Sequence, residues 1–142
     1  MLYEKPDDVA AEREIAERYA SIASCIPLAL PRKSVVDFVF VRGSAVVCLV
    51  EVRTRGCRHM QFADYMLSMS KWIAVKAVSV ATQTPAVFLV MFAGSSTLYV
   101  LKAEGDPDSI DESTGRTDRN DPNDVGPAGH FNWSRLKKVR GT

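Results

Sequence analysis

Apolar and polar positions repeat with two different periods along this chain. In the segment 7–24 the apolar residues Val9, Ala16, Tyr19, Ala20 and Ala23 recur at helical spacing among Ala and Glu. Asp7 or Asp8 is placed to cap that helix, which runs to about Ser24. Pro27 and Pro31 then break the chain. Residues 34–42 and 45–53 are β-branched runs joined through Gly43-Ser44, the pattern of a hairpin. After a polar, basic connection, Ser68 or Ser70 opens a second helix that ends near Thr82. Residues 86–92 and 97–102 form another strand pair around Ala93-Gly94-Ser95-Ser96.

Residues 104–128 are rich in Asp, Pro, Gly, Ser and Thr with almost no apolar content, which predicts a long irregular loop. A short strand at about 130–133 precedes a basic C-terminal stretch. The pattern contains no internal repeat. It predicts an α/β or α+β fold with a central mixed sheet flanked by helices. Three stretches are expected: a core over 1–103, the polar loop over 104–128, and a terminal strand with a basic tail of the same domain over 129–142.

Composition narrows this picture only modestly. The chain has 142 residues, enough for one domain with its own core. Its apolar fraction of 46% and charged fraction of 25% are ordinary for a globular protein. A net charge of +1 makes no global electrostatic case for or against nucleic acid. The distribution is uneven: residues 1–18 are acid-rich, while Arg53, Arg55, Arg58 and His59 form one basic run and Arg135, Lys137, Lys138 and Arg140 another. Cys25, Cys48 and Cys57 are an odd set without metal spacing, which suits a reducing compartment. The opening Met-Leu-Tyr-Glu-Lys-Pro-Asp-Asp lacks the apolar core of a signal peptide, and no apolar run approaches a membrane span. No membrane partner is expected.

Candidate chemistry gathers between Val36 and Arg55. Glu51 and Arg53 lie two apart on a predicted strand, so their side chains share a face. An acid and a base together, with Asp37 nearby, form a layout suited to a divalent metal and a phosphate. The register poses a difficulty. A strict two-residue turn at Gly43-Ser44 pairs Val36 with Glu51 and puts Asp37 on the opposite face. The metal reading therefore predicts a three-residue turn or a bulge near Asp37. The alternative is that Asp37 ends an edge strand while Glu51 pairs with Arg53 or Arg55 at the surface. On the first helix Glu12 shares a face with Ala16, Tyr19 and Ala23, whereas Glu14 and Glu17 group with Arg13, Arg18 and Ser21. Glu12 is thus either a third ligand, direct or through water, or a stripe-edge acid bonded to a base such as Arg53. His59 and His130 have no ligand spacing. Met60, Met66 and Met69, with Phe62, Ile73 and Val80, read as filler of a core or an interface.

Helix, aspartate strand, Glu-x-basic strand and helix, in that order, resemble the PD-(D/E)XK nuclease superfamily, in particular its small phage-encoded members. The resemblance spans about residues 9–102. It is carried by Glu12, Asp37, Glu51-Val52-Arg53-Thr54-Arg55 and Ser70-Lys71-Trp72, with a weaker likeness in Gly115-Arg116-Thr117-Asp118-Arg119-Asn120-Asp121. It implies a metal-dependent phosphodiester hydrolysis of DNA, with Mg²⁺ or Mn²⁺ held by Asp37, Glu51 and the Val52 carbonyl. Glu12, Arg53 and Lys71 complete the implied catalytic set, and Arg55, Arg58 and Lys76 would contact the nucleic acid. Arg53 stands where the family has lysine. An arginine keeps the charge, but it cannot shed a proton and its planar fork differs from an ammonium. Members exist in which the lysine has moved onto a neighbouring helix, where Lys71 is the candidate here. The resemblance also implies the cytoplasm of a bacterial host, or a virion, as the place of action, with DNA, further copies of the chain or other phage proteins as partners. The alternative is a catalytically inactive protein of the same fold that binds nucleic acid or serves virion assembly.

Overall fold

The computed structural model describes residues 6–111 and 126–140, with side chains described from residue 9 within the first helix. The first helix, α1, spans Pro6–Ile22. Strands β1 (Ile26–Ala29), β2 (Phe38–Arg42), β3 (Ala45–Arg55) and β4 (Tyr65–Ser68) follow. Helix α2 (Met69–Thr82) leads to β5 (Ala86–Phe92), β6 (Leu98–Lys102) and β7 (Ser109–Asp111). The chain closes with β8 (Ala128–Phe131), a 3₁₀ turn at Trp133–Arg135 and β9 (Leu136–Lys138).

Six strands form a mixed sheet in the order β1-β2-β3-β5-β6-β9, and β4-β8-β7 form a second, smaller sheet. β3 and β5 run parallel at the centre, so their connection must cross over, and β4 with α2 provides it. β5 is apolar throughout (AVFLVMF) because both of its faces are covered. Val87 and Leu89 meet Ile15, Ala16 and Ala20 of α1. Phe88, Val90 and Phe92 belong to the other layer, with Trp72 and Val75 of α2, Tyr65 and Leu67 of β4, and Phe131 of β8. The large sheet is thus sandwiched between α1 on one face and α2 with the small sheet on the other.

Several expected boundaries move. Residues 34–37 are turns and bends rather than the start of β2, and short β1, which the proline-flanked sequence hid, pairs antiparallel to β2 at the sheet edge. The stretch expected as an irregular loop over 104–128 contains β7, which pairs with β8. Residues 112–125, including the Gly115–Asp121 motif segment, lie outside the described residues. The expected basic tail is instead an edge strand: β9 pairs with β6, its Leu136 is buried, and Lys137 and Lys138 are exposed. The apolar residues expected as filler divide. Met66 and Met69 are half-buried, whereas Met60, Phe62, Ile73 and Val80 are exposed.

Candidate metal and phosphate site

β3 places the chemistry. Its alternation sends Val50 and Val52 into the α1 layer and Leu49 into the α2 layer, so Glu51 and Arg53 emerge on the α2 side. The hairpin turn is the tight two-residue one: Arg42 pairs with Ala45 and Val41 with Val46, and Gly43 takes the positive φ of 63° that such a turn needs. Then the register shifts. Phe40 pairs with Cys48, leaving Val47 as the extra residue of a bulge. The shifted register pairs Phe38 with Val50, and Asp37, just before β2, reaches the Glu51 region, where its charge acts on the Glu51 carboxyl. A bulge that changes the parity is present, but at Val47, opposite Phe40 and Val41, rather than near Asp37.

Asp37 lies just beyond β2 and takes over its hydrogen bonding. Its N–H donates to the Val50 carbonyl (3.1 Å), and its Oδ2 accepts the Val52 N–H at 2.8 Å. A residue's N–H and C=O leave a strand on the same edge, so the Val52 carbonyl also faces the Asp37 side.

Glu51 is the sole charged side chain among the buried described residues, at 4% exposure. Its Oε2 lies 2.7 Å from Lys71 Nζ, which also donates to the Val35 carbonyl at 3.1 Å. Its Oε1 is buried without a hydrogen-bond partner. Burial, and next the charge of Asp37, push the Glu51 carboxyl up to about 8, against the pull of Lys71 and Arg53. Lys71 is the third residue of α2. The neighbouring Trp72 fixes that turn by packing its ring on Phe88 (centroids 5.9 Å) and Phe131 (4.7 Å), which holds the ammonium over β3.

Arg53 and Arg55 continue the same face of β3 into a cleft of roughly 750 Å³. The Arg55 guanidinium carbon lies 5.4 Å from the ring centroid of Tyr65, a fully buried side chain whose hydroxyl has no hydrogen-bond partner. Burial raises the Tyr65 pKa, while Arg55 and Arg53 oppose the rise. In the same cleft His130 Nδ1 meets Asp64 Oδ1 at 2.9 Å. No local pattern announces this pair. Its members are 66 residues apart and are brought together by the antiparallel pairing of Met66 with His130 between β4 and β8.

A family described as "Phage putative PDDEXK endonuclease" matches the chain over residues 1–139. The chain belongs to that family. No curated protein matches it. PDDEXK membership agrees with the observed fold, a mixed central sheet with helices on both faces. Among the described residues no helix is long and apolar enough to cross a membrane.

PDDEXK nucleases generally use divalent metals, and the donor set of this chain can be compared with what such an ion needs. Among the described residues, no group of three or more His, Cys, Asp or Glu side chains is arranged to hold an ion. Asp37, Glu51 and the Val52 carbonyl instead offer two carboxylates and a neutral oxygen. Mg²⁺ commonly binds through one or two carboxylates plus waters and substrate phosphate, so this all-oxygen set fits it. The unpartnered Oε1 of Glu51 is the atom such an ion would satisfy.

The remaining candidates lie elsewhere. Glu12 is half-buried on α1, which packs against the face of the sheet opposite Glu51. Arg58 is exposed in the loop after β3. Lys76 bonds the Gly105 carbonyl and lies 3.5 Å from Asp106, tethering the loop after β6. Five residues along a helix turn it about 140° away from Lys71.

Proposed function

We propose that this protein is a metal-dependent nuclease that hydrolyses DNA phosphodiesters at Asp37, Glu51 and Lys71. The observation that carries the reading is the state of Glu51: a buried carboxylate with one oxygen on Lys71, the other unpartnered, and a second carboxylate beside it. An isolated protein gains nothing in stability from such an arrangement, since burial disfavours the charge and Asp37 repels it. A cation reverses both effects.

In this reading Asp37, Glu51 and the Val52 carbonyl hold Mg²⁺ or Mn²⁺. When bound, the ion neutralises charge on the phosphate and lowers the pKa of an attacking water. The Val52 N–H fixes the Asp37 carboxylate, so one face of the site is set before substrate arrives. Lys71 orients Glu51 and presents its ammonium to the phosphate oxygens, taking the part played by the lysine of the family pattern. Arg53, always charged, serves as a phosphate contact and proton-independent electrostatic support. Arg55 and Arg58 extend that contact along the DNA backbone. Any action of Glu12 would come from the opposite face of the sheet, and Lys76 remains a candidate DNA contact at the far side of α2. The host cytoplasm is the proposed setting.

A second reading is a PDDEXK protein retained for nucleic-acid binding or virion assembly, alone or as an oligomer. The Arg53 replacement and the direct Lys71–Glu51 ion pair favour it. One experiment separates the two: cleavage of single-stranded, double-stranded and branched DNA in Mg²⁺ or Mn²⁺ by the wild type, Asp37→Ala and Glu51→Ala. Cleavage lost in both variants supports the nuclease. Absence of cleavage on every substrate, together with no metal binding by calorimetry, overturns it.

A further inference from the structure

The cleft beyond Arg53 and Arg55 has features that backbone contact alone does not require. Its volume of roughly 750 Å³ lies within the range of small-ligand pockets. Phe62, on its rim, leaves 57% of its surface exposed. The loop that carries Phe62 is nevertheless pinned, because Trp133 Nε1 donates to the Phe62 carbonyl at 2.9 Å. Trp133 is itself fixed by aromatic neighbours, with ring centroids 5.6 Å from Phe92 and 5.1 Å from His59. A flat, exposed apolar side chain on a backbone anchored at a cleft mouth is suited to serve as a stacking platform. The Asp64–His130 pair lines the same cleft and offers hydrogen-bonding atoms beside Arg53, Arg55 and the apolar and aromatic side chains.

We propose that this cleft receives one unpaired nucleotide of the DNA strand whose backbone crosses Glu51 and Lys71, so that the preferred substrate is single-stranded or locally melted DNA. The proposal rests on the nuclease reading for the position of that backbone. Glu51, Arg53 and Arg55 follow one another on the same face of β3 at steps of about 7 Å, so a chain of phosphates tracking them runs from the metal site to the cleft mouth. The base then turns off the backbone onto Phe62, while Arg53 and Arg55 hold the adjoining phosphates. Stacking on an aromatic face tolerates any base. The Asp64 carboxylate accepts from exocyclic amino groups, which favours cytosine, adenine or guanine over thymine. A base inside an intact duplex cannot reach such a cleft without leaving its stack, and that requirement disfavours double-stranded DNA.

The test measures binding of the full chain to a short oligonucleotide carrying 2-aminopurine, single-stranded or annealed, in EDTA so that no metal-dependent cleavage intervenes. Expected are tighter binding of the single strand, a change in 2-aminopurine emission, and a roughly 5- to 150-fold loss of single-strand affinity in Phe62→Ala, the range for removal of one stacking partner (about 1–3 kcal/mol per base). Phe62→Leu, which keeps an apolar side chain without a flat face, should recover little. Phe62 is exposed, so neither variant endangers folding. Equal affinity for single strand and duplex, or single-strand affinity unchanged in Phe62→Ala, overturns the proposal. Cleavage in Mg²⁺ run in parallel keeps the two readings apart. Phe62-dependent single-strand binding with neither cleavage nor metal binding supports the cleft and removes the nuclease, whereas cleavage indifferent to Phe62 supports the nuclease and removes the cleft.

Discussion

Replacing Glu51 with glutamine should stabilise the metal-free protein while abolishing its proposed activity. Glutamine has the same shape and can still accept a hydrogen bond from Lys71, but it carries no charge to bury. The Glu51 carboxyl titrates at about 8 in the folded protein against 4.5 for the unperturbed group. Between those values the folded state binds more protons than the unfolded one, so stability falls as pH rises through the window. By pH 7 the accumulated loss is roughly 3 kcal/mol, since each pH step above the unfolded value costs about 1.4 kcal/mol. Glu51→Gln escapes it, less whatever the neutral amide forfeits toward Lys71, for a net gain of about 1–3 kcal/mol. Urea unfolding of wild type and variant in EDTA at pH 5, 7 and 8.5 measures this directly. The gap should be small at pH 5, open with pH, and close again when Mg²⁺ is added to the wild type. A variant less stable than wild type at pH 8.5, or a gap independent of pH, would refute the claim that the site holds a destabilised carboxylate.

Lys71→Ala should lower the cleavage rate by about 100-fold or more, since it removes both the partner of Glu51 and the proposed phosphate contact. Arg53→Lys restores the family pattern; if Lys71 already fills that role, the rate should change by less than about threefold, and a rise beyond tenfold would return the role to position 53. Burial, and next the neighbouring Cys25, push the Cys48 thiol up to about 11, so at pH 8 only on the order of one molecule in a thousand carries the thiolate. Alkylation followed by mass spectrometry should therefore find Cys48 largely unmodified at pH 8 in the native protein and readily modified in urea. Trp72→Ala should destabilise by about 3–5 kcal/mol and Leu136→Ala by about 2–5 kcal/mol in denaturant unfolding. A loss below about 1 kcal/mol at Leu136 would mean that β9 contributes little to the sheet.

The parts legible in the sequence are those with a strong local period. The helix over Met69–Thr82, the run Ala86–Phe92 and the hairpin through Gly43-Ser44 all declare themselves through neighbouring residues. The site is half legible: alternation alone puts Glu51 and Arg53 on one face, but only the Val47 bulge brings Asp37 to that face. A bulge of one β-branched residue among others leaves no mark in composition. Lys71 stands out as a candidate, yet its choice of Glu51 depends on how α2 lies over β3, which Trp72 decides through contacts with Phe88 and Phe131. Short strands escape notice for the complementary reason. Three or four residues at 26–29, 109–111 and 136–138 are too few to show a period, and they are strands because a partner edge was waiting. Phe62 and Trp133 are adjacent only in space, so the cleft has no sequence signature.

The origin of the two halves of the site along the chain bears on when each becomes available during synthesis. Asp37, Glu51 and Lys71 fall within one continuous stretch, but the helix turn that carries Lys71 is packed through Trp72 against Phe131 of β8. His130 and Trp133, which wall the cleft, follow about 60 residues after Lys71, counting 71 to 130. A nascent chain can therefore pair β2 with β3 early, while the contact that fixes Lys71 has to await β8. Both the placement of Lys71 and the wall of the cleft thus wait for β8 and the turn after it, so the two halves are completed together, late in synthesis.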